Sequence, residues 1–498
     1  MNIIADLFQD GKQLIDSTYD FVDRYIGSSL LTRCGIAKIV DRVVAGDTES
    51  YPDTPLSRLL GSTEKPKLLE KCVSAKKLLI DKIFVGFLSI SAYMMFKNNE
   101  FFSNYKKDTF YRFDLLPKAN WEKLQSETAA NVIADLEERT DDEHLRVLIF
   151  DDSLYNRAGG KKTELCCKVY DHNDHKTRLG YRMMTCAWSN GDSLVPVQQC
   201  LLTTNNPDLM IGPDESYDGR TVQGKRRTYA KETGTASVLR MIRKAKETGI
   251  PFSYVLFDTW FSSPSEVMAV HALGTDVVAM VKKMATKYSF IDPVTGEERR
   301  EDLKTIFNIH KKRRGRSRYL LSVNVTLKDN EGNIIPAKLV FARNRNSRND
   351  YVCFICTDMK LDEETILLIY TMRWGIETYF KIAKSYLRLR TECHSTSYDA
   401  LTSHMVVVAI RYMMLILQRF NNTDDRSIEE LFNEAKRQVI ADYAFSTVAT
   451  IIGILFDCIE ECFKPTEEKM QEFILVFMTK LPDYWRLRLK RNFVSAET

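Results

Sequence analysis

The sequence predicts an α/β protein in which helical segments at both ends enclose a strand-bearing middle. Three observations carry that expectation. Two short apolar runs, Val147–Phe150 and Tyr254–Phe257, each stop at an aspartate. A stretch from Ala285 to Asp358 alternates β-type runs with turns. Apolar residues at helical spacing precede and follow both features. At 498 residues the chain exceeds what one compact core organises, so several folding units are expected.

Residues 1–145 read as an N-terminal helical region. It holds the long Leu68–Phe96 segment and a helix starting at Asn120, whose side chain suits an N-cap. The pattern changes at Arg146. Residues 146–284 carry Val147–Phe150, a Gly159–Gly160 turn and β-leaning runs Leu165–Tyr170 and Tyr181–Trp188. A helix over Ala236–Lys246 follows, stopped by Gly249 and Pro251 before Tyr254–Phe257. Residues 285–360 form a β-rich insertion, with Tyr319–Val325 and Lys338–Phe341 on either side of an Asp329–Gly332 turn. Residues 361–415 open with a helix over Leu361–Leu389, and 416–498 read as a C-terminal helical region.

A hydrophobic fraction of 44% with 28% charged residues is that of a soluble globular protein. The net charge of +4 is small, so any affinity for nucleic acid must come from local clusters. Lys311, Lys312, Arg313, Arg314, Arg316 and Arg318 form the densest one. Arg343, Arg345 and Arg348 form a second, and Lys225, Arg226 and Arg227 a third. All three flank the aspartate-ended runs and the Leu361–Leu389 helix, as a phosphate-tracking surface requires. Eleven irregularly spaced cysteines argue for reduced thiols in a cytoplasm, and Cys353 and Cys356 read as part of a buried strand. The first residues show no basic leader, and the apolar run Ile83–Phe96 is too short to span a bilayer, so no membrane partner is expected.

The chemistry lies in three carboxylates. Tyr370, Arg373, Glu377 and Lys384 fall within roughly 60° of arc on an ideal helix, with Lys381 and Trp374 on the same stripe. One acid among cations is, on a lone helix, an ordinary solvated face. Two strand-end aspartates elsewhere change that balance, because two-metal phosphoryl transfer needs acids converging from separate elements. Strand ends are where sheet proteins place such groups.

The spacing Tyr-x2-Arg-x3-Glu-x6-Lys, in the segment YTMRWGIETYFKIAK, resembles the signature of the insertion-sequence-four family of DDE transposases. The segments FDDSLYNR and LFDTWF resemble that family's first and second aspartate motifs. The resemblance spans about residues 100 to 400. It implies a ribonuclease-H-like core with a β-rich insertion, and cut-and-paste transfer of inverted-repeat ends. It further implies Asp152, Asp258 and Glu377 as metal ligands and catalytic acids, with Tyr370, Arg373 and Lys384 on DNA phosphates. Asp151 competes with Asp152, since strand neighbours point to opposite faces. Alignment of Phe150-Asp151 with Phe257-Asp258 favours Asp151, whereas Ser153, a hydroxyl residue directly after the acid, favours Asp152, the choice adopted.

Two Mg²⁺ ions, replaceable by Mn²⁺, are the expected cofactors. Double-stranded DNA, as terminal inverted repeats and target, is the expected partner, bound by a homodimer in a paired-end complex. Relatives that cut through a hairpin stack a flipped base on an aromatic of the insertion, often Trp. No Trp lies between Ala285 and Asp358, which leaves Tyr288, Phe290 or Tyr319 for that part. The alternatives are a transposase-derived DNA-binding protein without catalysis, or a ribonuclease-H-like nuclease without strand transfer.

Overall fold

The computed structural model describes residues 75–437 apart from 89–90, 99–104, 139, 141–143, 158–159, 172–173, 314–316, 330, 345–346, 348–349 and 422–425, together with 455, 458–459 and 461–482. The chain divides into two compact units, residues 26–434, and 1–25 with 435–498. The second unit contributes a helix, Glu467–Lys480. The first unit holds Asp151, Asp152, Asp258 and Glu377. The expected helices before residue 75 lie outside the described residues.

The N-terminal described part is helical: α1 (Ala75–Val85), α2 (Ala92–Lys97), α3 (Lys107–Arg112) and α4 (Trp121–Glu137). Asn120 caps α4 by accepting from the Lys123 amide at 3.0 Å. Four strands follow: β1 (Val147–Asn156), β2 (Cys167–Asp171), β3 (Lys176–Ser189) and β4 (Leu194–Leu202). Next come α5 (Val222–Ala230), α6 (Gly234–Glu247), β5 (Tyr254–Phe257), α7 (Pro264–His271) and β6 (Asp276–Val281). The insertion is β7 (Lys287–Ile291), β8 (Glu298–Asp302), α8 (Leu303–Ile309), β9 (Tyr319–Lys328), β10 (Ile334–Arg343) and β11 (Tyr351–Cys356). Helices α9 (Glu363–Thr371), α10 (Trp374–Ser385) and α11 (Tyr398–Asn421) complete it.

The core sheet runs β4-β3-β1-β5-β6. β1 pairs antiparallel with β3 and parallel with β5, and β5 pairs parallel with β6. This mixed sheet with helices on both faces is that of a ribonuclease-H-like core. The insertion adds to the same sheet, because β11 pairs antiparallel with the other edge of β6 and β10, β9, β7 and β8 continue outward. That pairing covers an edge β6 would otherwise leave open. Cys353 and Cys356 are buried thiols of β11, as the apolar run VCFIC implied.

Val147–Phe150 are wholly buried because both edges of β1 are paired and helices cover both faces. On one face Gln125 of α4 donates to Gln199 of β4, and Tyr379 of α10 packs edge-on against Tyr412 of α11 at 4.8 Å. On the other, Gln198 donates to the Met241 carbonyl of α6. α11 is long and apolar enough to cross a membrane, yet all of that apolar window is buried within the protein. Arg411, fully buried in α11, neutralises Glu392 and donates to the Lys82 and Ile83 carbonyls near the end of α1.

Candidate active site

β5 stops at Phe257, whereas β1 runs on to Asn156 against β3 alone. The first acid is therefore within a strand rather than at its end, beside the gap that β5 leaves. Phe150 is in register with Phe257, so one residue further Asp151 comes beside Asp258. Residues in register on adjacent strands point to the same face, with strands about 4.8 Å apart. Asp258 then caps a short 3₁₀ turn, accepting from the Thr259 amide at 2.7 Å.

The third acid arrives on α10. The expected single helix over 361–389 is two, joined through Met372 and Arg373. There the backbone tightens to i→i+3 bonds, from Gly375 N to Met372 O and from Ile376 N to Arg373 O, both 3.2 Å. Gly375 makes the close packing possible, since a Cβ there would lie 2.9 Å from Leu194 Cδ1 of β4. Ile376, Tyr379, Phe380 and Ala383 are buried beneath the helix, which turns Glu377 toward β1.

Arg373 ties the acids together. Its Nη1 donates to Asp151 Oδ2 at 3.1 Å and its Nη2 to Glu377 Oε1 at 2.6 Å. Lys384 donates to the hydroxyl of Ser153, which shares Asp151's face of the strand. Asp152 points the other way and is held by Arg182, Nε to Oδ2 at 3.0 Å. The sequence reading takes Asp152 as the first acid, with Asp151 competing for that place. Strand alternation sends Asp152 to the face opposite Arg373, Glu377 and Lys384, and puts Asp151 on theirs.

Burial pushes the Asp151 carboxyl up to about 7, reinforced by the Asp152 and Asp258 carboxylates and opposed by Arg373. Burial also lowers the Lys384 ammonium to about 8, with Arg390 acting in the same direction. Arg373 stays firmly charged: burial disfavours its cation, but Tyr370, Asp151 and Glu377 outweigh it. Among the described residues the buried Tyr370 hydroxyl and Arg373 Nε have no hydrogen-bond partner. An excess of desolvated carboxylate is what a hard divalent cation relieves, and the donors Asp151, Asp258 and Glu377 suit one chemically. Among the described residues no three such side chains already stand at metal-holding distance, and Arg373 is the group between two of them.

Beside the acids a groove of about 1030 Å³ separates α9 from β6, β10 and β11. Arg318, Arg343, Tyr370, Arg373 and Trp374 line it. Arg318 thus joins the basic tract to the acids' side, 3.8 Å from Glu364. Lys311 and Arg313 are exposed, Arg313 stacks on Tyr319 at 4.4 Å, and Lys312 covers the Phe307 ring at 4.6 Å. Arg314 and Arg316 lie outside the described residues, as do Arg345 and Arg348. Lys381 is exposed on α10. Tyr288 and Phe290 are buried in the insertion, so of the three aromatics proposed for base stacking only Tyr319 retains exposure. Sequence reasoning missed Trp260, half-exposed two residues after Asp258 with Lys282 over its ring at 4.4 Å. The WF pair after Asp258 was the available signal.

A model of the DDE superfamily endonucleases matches residues 100–304, and a model of the transposase DDE domain matches residues 217–414. The two spans together take in Asp151, Asp258 and Glu377. No curated protein matches the chain.

Proposed function

The chain carries a DDE transposase domain, and on that premise we propose that it cuts and joins the inverted-repeat ends of an insertion sequence. Membership of the insertion-sequence-four family is part of this proposal and rests on the spacing of Tyr370, Arg373, Glu377 and Lys384. The observation that carries the reading is the placement of Asp151 beside Asp258, with Glu377 one guanidinium away.

Asp151, Asp258 and Glu377 would hold the metal. Bound there, a pair of Mg²⁺ ions would supply the Lewis acidity that activates an attacking hydroxyl and steadies the leaving oxygen. Arg373 and Lys384 lie on the same side and would orient the scissile phosphate, Arg373 through paired N–H donors and Lys384 as a point charge. The groove lined by Arg318 and Arg343 offers the DNA strand a path to the acids. Double-stranded DNA is the partner, a homodimer would pair two ends, and the compartment is the cytoplasm.

Supercoiled DNA carrying the element's own ends, incubated with Mg²⁺, tests the assignment. Asp258→Ala and Glu377→Ala are expected to lower cleavage by at least about a thousandfold with DNA affinity largely kept. Asp152→Asn is expected to retain most cleavage. A wild-type rate for either of the first two, or a dead Asp152→Asn that still folds, would refute the triad of Asp151, Asp258 and Glu377.

A further inference from the structure

The Arg373 guanidinium spans the two acids nearest it, one Nη on Asp151 and the other on Glu377, and its side chain is only 12% exposed. It therefore sits where a cation shared by those carboxylates would sit. A divalent ion and a guanidinium cannot occupy the same carboxylate oxygens, and their mutual repulsion in a half-buried site is strong. The same side chain lines the groove between α9 and the insertion, so the guanidinium has somewhere adjacent to go. It stands at the break between α9 and α10, and its Nε has no hydrogen-bond partner among the described residues. A phosphate entering the groove offers what the carboxylates offer now, two oxygens in the plane of the fork.

We propose that Arg373 is a counter-ion switch that holds Asp151 and Glu377 shut against metal until a DNA phosphate draws it into the groove. This rests on Asp151, Asp258 and Glu377 being the metal ligands. DNA and metal then load cooperatively, and each raises the other's affinity by the same factor. Without DNA the ligand set stays blocked, which suppresses indiscriminate nicking by metal-loaded protein.

Titration of the full chain with Mn²⁺ in the absence of DNA, reading free Mn²⁺ by electron paramagnetic resonance, tests the switch. Arg373→Gln is expected to bind Mn²⁺ more tightly than wild type, on the order of tenfold. Arg373→Lys, which keeps a cation but bonds fewer oxygens, is expected to fall between them. It also decides the matter should the Gln variant fold poorly. In a second arm, Ca²⁺ replaces Mn²⁺ to keep a short blunt DNA duplex uncut. Ca²⁺ is expected to tighten duplex binding by wild type and to lose that effect in Arg373→Gln. Unchanged or weaker Mn²⁺ binding by both Arg373 variants would overturn the switch. Asp151→Asn and Glu377→Gln, each added to Arg373→Gln so that the site is unblocked, separate the two levels: if neither weakens Mn²⁺ binding there, the ligand assignment itself is wrong.

Discussion

Replacing Asp151 by asparagine is expected to abolish DNA cleavage and, at the same time, to make the metal-free protein more stable near neutral pH. The loss of cleavage follows from the proposed ligand role. The gain in stability follows from where the carboxyl sits. Burial, then the neighbouring Asp152 and Asp258, hold its proton up to about pH 7, against Arg373. In the unfolded chain the same group titrates near about 3.9. Between those values the folded state binds a proton that the unfolded state has released. Stability therefore falls as pH rises through that window and is fully present only below the unfolded value. Asparagine keeps the shape and can still accept from Arg373 but carries no charge to desolvate.

Allowing for the weakened Arg373 contact, the gain is roughly 1–3 kcal/mol at pH 7.5, shrinking as pH approaches about 4. Thermal unfolding of both proteins in chelator at the two pH values measures it. A variant no more stable at pH 7.5 than its difference at low pH would show that the carboxylate is not under strain. Loss of function with gained stability is the mark of a group kept for chemistry rather than for packing.

The second large effect lies away from the acids. Arg227→Ala is expected to cost roughly 3–5 kcal/mol, enough to shift the unfolding midpoint by many degrees. Its Nε and Nη2 donate to the two Glu164 oxygens at 2.7 and 3.0 Å, and its Nη1 and Nη2 to those of Asp399 at 2.7 and 3.0 Å. All three side chains are under 10% exposed. Glu164 also accepts from the Tyr398 amide at 2.9 Å, so the cluster pins the start of α11 to the β1–β2 connection. Removing the guanidinium leaves the buried Glu164 carboxylate with the Tyr398 amide but no pairing cation, and Asp399 with Arg226 and Gln223. Lys225→Ala, two residues earlier and exposed, is expected to change stability by under about 0.5 kcal/mol. Urea unfolding of the two variants measures the contrast, and equal small costs would mean that the cluster holds nothing. The Lys225, Arg226 and Arg227 tract, read from sequence as a phosphate-tracking surface, thus contributes only Lys225 to the exterior.

That tract shows where sequence reading ends. A run of basic residues looks the same whether solvent or Glu164 and Asp399 neutralise it, and those acids are 63 and 172 residues away. Tyr288 and Phe290 looked available for stacking for the same reason: nothing local says that the insertion folds over them. The break in the Leu361–Leu389 helix was equally silent, and so was the close approach of Gly375, just beyond it, to Leu194 of β4.

What the chain's own order determined is considerable. Apolar runs ending in acid marked β1 and β5, helical spacing put Glu377, Arg373 and Lys384 on one stripe, and turn residues bounded the insertion. These depend on interactions within a few residues, where strand and helix periods are written directly. Alternation even stated that Asp151 and Asp152 face opposite ways. Which of those ways led to Glu377 was decided by the packing of α10 on β1 and β4, since a strand's two faces are equivalent until another element covers one.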